Sequence, residues 1–247
     1  MLKYTNNNFT SKHRLEFAKD TGAETRELYG TTNRFKWTPT KEYTIFGVGN
    51  YVLGKGDLGL VSYNESGNII EDRNPDNDDS KYLELGLGFA YRPIYNDRLN
   101  LITKYSYIYD DGSKTQLNRN YSEKANIVSF EGIYDLTQRL SISGKYAFRK
   151  EEVKLYMGDD WYSNTLNLYA VRLSYEVIKK WDLFGEYHWL QGKTDGDLKH
   201  GAIVGIYREI NENLEFGVGY NFTEFTDDLT NLDYRSKGWF INLIGKF

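Results

Sequence analysis

The side chains best suited to chemistry in this chain are few and scattered. Cysteine is absent, which removes disulfides and thiolate metal sites. The histidines are His13, His188 and His200. His188 stands in the stretch EYHWLQ, two residues after Glu186. On an extended strand that spacing puts both side chains on one face. An imidazole beside a carboxylate can take up and release a proton near neutrality. A satisfied interior histidine carries the same pattern, and no GxSxG, HExxH or phosphate-binding loop accompanies it. Carboxylates abound elsewhere, but nothing in their spacing selects one acid–base pair.

The stretch EDRNPDNDD at 71–79 is the best candidate for a hard cation, because Asp76, Asp78 and Asp79 offer the oxygen ligands that Ca²⁺ takes. It lacks the spaced Gly and Glu of a helix–loop–helix calcium site, and a solvated acidic loop tip explains it as well. Eight further ionic residues share one spacing class: Lys104, Glu131, Lys145, Arg149, Arg172, Glu176, Glu186 and Glu215. Each falls on the more polar side of an alternating run.

Those runs define the elements. In LNLITKYSYIY at 99–109, Leu99, Leu101, Thr103, Tyr105, Tyr107 and Tyr109 fall on one side. In LSISGKYAFR at 140–149, Leu140, Ile142, Tyr146 and Phe148 oppose Ser141, Ser143, Lys145 and Arg149. LEFGVGYNF and LELGLGFAYR repeat the pattern. A helix would scatter these residues around its axis, so period-two alternation predicts strands. About twelve are expected, near 12–19, 26–37, 43–53, 81–92, 98–109, 123–135, 139–150, 164–177, 181–192, 198–209, 213–225 and 236–247. Both faces of AIVGIYR at 202–208 are partly apolar, so its orientation stays open. Runs of roughly ten residues match a tilted strand crossing a bilayer. The connections alternate between short turns, such as LTQ at 136–138, and long acidic segments, such as 54–80, 110–122, 151–163 and 226–235.

Composition separates a soluble barrel or sandwich from a membrane barrel. The chain holds 22 Tyr, 13 Phe and 5 Trp against 3 Pro, so aromatic mass is high while apolar content is spread thinly. Tyr91, Tyr107, Tyr109, Tyr146, Tyr175 and Tyr187 lie on apolar faces, several near strand ends. Tyr and Trp suit a bilayer interface, and a soluble core would have to satisfy every hydroxyl. The expected fold is therefore all-β: a closed antiparallel transmembrane β-barrel with short periplasmic turns and long acidic extracellular loops. Residues 1–11 are expected as an N-terminal tail and 12–247 as the barrel. The eight ionic residues would line the lumen and fill it, as side chains do in narrow barrels. The net charge of −4 and the lack of a basic stripe argue against a nucleic-acid partner.

Several stretches resemble the β-barrel domains at the C-terminal end of large bacterial outer-membrane proteins that carry adhesin-like or repeat regions. They include YRPIYNDRLN at 91–100, GVGYNFTEFTDDLT at 217–230 and the closing GWFINLIGKF. The resemblance implies a non-catalytic membrane anchor presenting an upstream surface domain. It also implies that Trp239, Ile241, Leu243 and Phe247 on the last strand form the signal read by the barrel-insertion machinery. Outer-membrane phospholipases carry a Ser two residues after the catalytic His, and Leu190 holds that place here. The expected partners are the lipid bilayer and lipopolysaccharide, whose anionic groups could share divalent cations with the acidic loops. No cofactor is expected, and the expected location is the bacterial outer membrane. A small ion or solute channel is the alternative function, and an autotransporter-like translocator or a soluble lipid carrier are further ones.

Overall fold

The computed structural model describes residues 1–21, 25–57, 61–63, 69–71, 79–112, 121–154, 160–193, 196, 198–211, 214–223, 229 and 237–245. Among them there is no helix. The strands are β1 (Leu2–Asn6), β2 (Phe9–Thr21), β3 (Thr25–Trp37), β4 (Tyr43–Asp57), β5 (Val61–Tyr63), β6 (Ile69–Glu71), β7 (Ser80–Tyr91) and β8 (Leu99–Gly112). They continue as β9 (Tyr121–Asp135), β10 (Leu140–Lys154), β11 (Tyr162–Ile178), β12 (Trp181–Gly192), β13 (Leu198–Asn211), β14 (Leu214–Asn221) and β15 (Gly238–Gly245). Thirteen of them form one antiparallel meander in chain order, while β5 and β6 pair as a separate hairpin.

Each of the twelve expected runs is a strand, with ends displaced by a few residues. Three short strands were not expected. Residues 1–11 are not simply a tail, because β1 pairs with the start of β2 from Leu2↔His13 to Asn6↔Phe9. The hairpin of β5 and β6 lies within the long interval before β7. The antiparallel all-β sheet expected for a barrel is present, without a ladder that closes it. Among the described residues no ladder joins β15 to β1 or β2, so the sheet has two open edges.

The intervals alternate between rims. One rim has 38–42, 92–98, 136–139, 179–180 and 212–213. The other has 22–24, 58–79, 113–120, 155–161, 193–197 and 222–237. Register shifts between Glu176 and Ile178 and between Glu209 and Asn211 both fall at the short-interval rim.

Register decides the two faces. One face, here called inner, carries Ala125, Ile127, Ala147, Leu168, Ala170, Phe184 and Leu190, all buried, together with Arg149, Glu151 and His188. The outer face carries Leu85, Leu87, Phe89, Leu173, Val177 and Leu183, all exposed. Leu87 is 55% exposed in the middle of a paired strand, a state a soluble sheet does not sustain over so many positions. The apolar face therefore looks outward, as the composition implied. Tyr105, Phe216 and Leu243 are all exposed on it.

Tyrosines organise this outer face. Tyr43 stacks on Tyr91 at 5.0 Å between ring centroids, and Tyr169 stacks on Trp189 at 5.6 Å. Three polar groups on this face are held by tyrosine hydroxyls. Tyr105 donates to Asn126 Oδ1 at 2.8 Å, Tyr146 donates to Asn167 Oδ1 at 2.9 Å, and the Tyr187 hydroxyl meets His200 Nδ1 at 2.8 Å. An outward polar group satisfied in this way costs much less in an apolar surround than an orphan one.

On the inner face, aromatic rings lie across glycines of the neighbouring strand. Phe46 covers Gly88, Phe184 covers Gly205, Tyr207 covers Gly217 and Phe240 covers Gly219. A Cβ at Gly205 would meet Phe184 Cε1 at 2.5 Å and the Val218 carbonyl oxygen at 3.1 Å. Gly205→Val is therefore expected to destabilise the folded protein by about 1–3 kcal/mol, the usual cost of overpacking. A lowered urea midpoint in detergent micelles checks this, and an unchanged midpoint would contradict the ring placement.

Candidate functional site: the polar inner face

The ladders bring all eight predicted ionic residues to one face. Lys145 lies directly across from Glu131, and Arg172 directly across from both Ser143 and Glu186. Lys104 lies across from Ser129, which shares its face with Glu131. Glu176 faces Asp182, and Glu215 faces Glu209. Period-two alternation within each strand predicts this sharing, and the register across the seven strands from β8 to β14 realises it.

Arg149 is the most completely enclosed of the eight, at 4% exposed. Its Nε donates to Glu151 Oε2 at 2.6 Å, and its Nη1 donates to the Leu229 carbonyl at 2.5 Å. Its Nη2 pairs with Glu123. Glu151 also accepts from Asn164 Nδ2 at 2.9 Å. One planar guanidinium thus ties β9, β10 and a residue from the interval between β14 and β15. Arginine suits this role because its fork of donors serves several acceptors at once.

The Leu229 side chain is fully buried against Ile127, Ala147, Leu168 and Leu190, with Ile108 and Leu166 at the margin. Its backbone has φ of 58°, a left-handed conformation uncommon for leucine. Packing and the Arg149 hydrogen bond together hold it there. This small apolar cluster sits inside a mainly polar face and covers it beside the charged node.

A second group lies nearer the short-interval rim. Arg172 stacks on the Phe184 ring at 4.0 Å, and its Nη1 is 3.7 Å from Glu186 Oε2. The other carboxylate oxygen of Glu186 meets Nε2 of His188, which is almost fully buried. A cavity of about 270 Å³ opens between Glu131, Lys145, Arg172 and Glu186, flanked by Ser143 and Ser174. At the short-interval rim a larger cavity of about 650 Å³ includes Arg92, Arg98, Arg139 and Lys180 with Glu176 and Glu209.

The histidines do not converge. His188 faces inward beside Glu186, while His13 meets Asn33 Oδ1 at 2.8 Å near the β2 edge and His200 lies on the outer face. No nucleophile–base pair is assembled among the described groups of the inner face. Asp76 and Asp78 lie outside the described residues, and Asp79 is described without them. Trp239, Ile241 and Leu243 project from the outer face of β15, whereas Phe247 lies outside the described residues.

Sequence reading missed Glu123, Glu151 and Asn164 around Arg149. Their parity was readable from alternation, because Glu151 stands two residues from Arg149 and shares its face. Leu229 left no such signal, since its partners, from Leu190 back to Ile127, lie far away in sequence on four strands.

No protein-family model matches the chain, and no curated protein matches it in sequence. Solved structures do match in fold. The siderophore receptor PirA from Acinetobacter baumannii superposes with a TM-score of 0.61 at 10% identity, over 87% of this chain and 38% of that one. A loop-deletion mutant of OmpT, an outer membrane protein of Vibrio cholerae, gives 0.55 at 15% identity, over 83% and 60%. A mutant of the ferric enterobactin receptor from Pseudomonas aeruginosa gives 0.58 at 9% identity, over 90% and 40%. This chain thus spans about two fifths to three fifths of the length of those structures. The likeness is one of fold: an antiparallel β-sheet protein of the bacterial outer-membrane barrel type. The exposed apolar belt agrees with that class and its place in the outer membrane.

The Arg149 node yields a direct test. Arg149→Met leaves the buried Glu151 and the half-buried Glu123 without their shared cation, and loss of one partner from such a group costs about 3–5 kcal/mol. The urea midpoint should fall accordingly. Adding Glu123→Gln and Glu151→Gln to the same protein should recover most of the loss. A single variant as stable as the parent would show that the node is not closed.

Proposed function

We propose that this chain is a non-catalytic outer-membrane β-barrel that serves as a membrane anchor, its lumen filled by mixed charged side chains. The burial of Arg149 between Glu123, Glu151 and the Leu229 carbonyl carries this reading. A side chain that must conduct stays hydrated, whereas this one is withdrawn from water and spent on internal partners. Closure of the sheet into a complete barrel belongs to the same proposal, because a lipid-exposed sheet edge leaves backbone groups unsatisfied.

In the membrane the short-interval rim would face the periplasm, and the long, acidic intervals would face outward beside lipopolysaccharide, with divalent cations shared between the two. Trp239, Ile241, Leu243 and Phe247 would present the closing strand to the barrel-insertion machinery. The resemblance of 91–100 and 217–230 to C-terminal barrel domains of large surface proteins supports a role in presenting an upstream surface region. In planar bilayers the purified barrel should give no large, stable unitary conductance. Reproducible large steps would sink the anchor reading.

A small channel for ions or modest solutes is the second reading. It is favoured by the two cavities that lie along the polar face. If permeation occurs, Arg172→Ala and Glu186→Ala should shift the ratio of cation to anion permeability in opposite directions. A ratio unchanged in both would rule out a path past these residues.

A further inference from the structure

Two arginines of the inner face are used differently. Arg149 is enclosed, and its guanidinium is taken up by Glu123, Glu151 and the Leu229 carbonyl. Arg172 is held in place without being taken up. Its guanidinium lies 4.0 Å over the Phe184 ring, and its Nη1 is 3.7 Å from Glu186 Oε2, beyond hydrogen-bond reach. Among the described residues it has no other ion pair and no hydrogen bond. The ring beneath it is itself fixed, because Phe184 is buried, lies across Gly205 and stacks on Tyr207 at 5.2 Å. A guanidinium stacked on a fixed ring keeps its plane, so its fork of donors is ordered before any ligand arrives.

Glu131 is the counterpart of opposite sign. Register sets it directly across from Lys145, yet its carboxylate forms no ion pair among the described residues. Glu131 and Arg172 line the same cavity of about 270 Å³, one from β9 and the other from β11. Arg172 stands across from Ser143, two residues along β10 from Lys145. Two strand spacings and two residues of rise put their Cα atoms on the order of 12 Å apart. Two long side chains lining one cavity from that separation leave a gap of a few atoms. Ser141, Ser143 and Ser174 line the same cavity, and their hydroxyls can donate or accept.

Charge balance selects the ligand. Lys145 and Arg172 are matched on the cavity wall by Glu131 and Glu186. A ligand of one net charge is attracted by one pair and repelled by the other. A ligand carrying both charges on a short frame gains from both poles. The size agrees, since the cavity equals about nine waters at about 30 Å³ each, the scale of a free amino acid.

We propose that this cavity binds a small zwitterion of the α-amino-acid type, with the ligand carboxylate on the Arg172 fork and the ligand ammonium on Glu131. Glu186, divided between His188 and Arg172, is a positioning residue for the guanidinium. The site goes beyond the anchor reading. It occupies a gap in the side-chain filling and needs only the wall from β9 to β12, whether or not the lumen conducts.

Calorimetric titration of the purified protein in dodecylmaltoside micelles tests this with L-serine, 3-hydroxypropanoate and ethanolamine. The second probe lacks only the ammonium, and the third lacks only the carboxylate. L-Serine should bind saturably at millimolar concentration, and each analogue should bind at least about tenfold more weakly, as loss of a hydrogen bond to a charged group implies. Arg172→Gln should erase the preference for L-serine over ethanolamine, and Glu131→Gln the preference over 3-hydroxypropanoate. The three probes decide the matter on the parent protein even where a variant fails to fold. Equal binding of 3-hydroxypropanoate would make the cavity an anion pocket, and equal binding of ethanolamine an ammonium pocket. Either result overturns the proposal, as does a lack of saturable L-serine binding or a preference that survives both substitutions.

Discussion

A backbone placed in hydrocarbon has no water to pair with, so each of its amide and carbonyl groups must bond within the protein. That requirement organises this molecule. It explains why the long strands are joined in one meander in which each ladder pairs the backbone groups of both neighbours. It also fixes the direction of the side chains. With the backbone consumed by the ladders, the outer face is free to be apolar, and ionic groups are left to the inner one.

The inner face then meets a second constraint, that enclosed charges need partners. Arg149 answers it with two carboxylates and a carbonyl, and Glu186 answers it by dividing its oxygens between Arg172 and His188. Glycines beneath Phe46, Phe184, Tyr207 and Phe240 let rings lie flat against the wall. The result is a face on which rings and paired charges lie side by side. His188 is nearly fully buried and linked to Glu186, as a histidine satisfied inside a protein is.

The outer face shows how tyrosine serves a protein with little aliphatic mass. Its ring contributes to the apolar belt, while its hydroxyl pairs with Asn126, Asn167 or His200 on the same face. Tyrosine was expected to keep its polar end wet at an interface. For these three the partner is a neighbouring side chain, and the Tyr146 and Tyr187 rings also lie against Tyr169 and His200 on the adjacent strands.

Alternation within single strands made the twelve long strands legible, and with them the shared face of Lys104, Glu131, Lys145, Arg149, Arg172, Glu176, Glu186 and Glu215. A period of two is a local property, so sequence alone determined it. Where both faces were partly apolar, as at 202–208, the pattern was silent. The ladder with β12 decided it, turning Val204 and Ile206 outward and leaving Gly205 under the Phe184 ring. Tertiary structure alone decided the burial of Leu229, the partners of Arg149, the pairing of β1 and the odd strand count. Each of these joins segments by register or by a returning connection, and distance along the chain carries no record of which segments will meet.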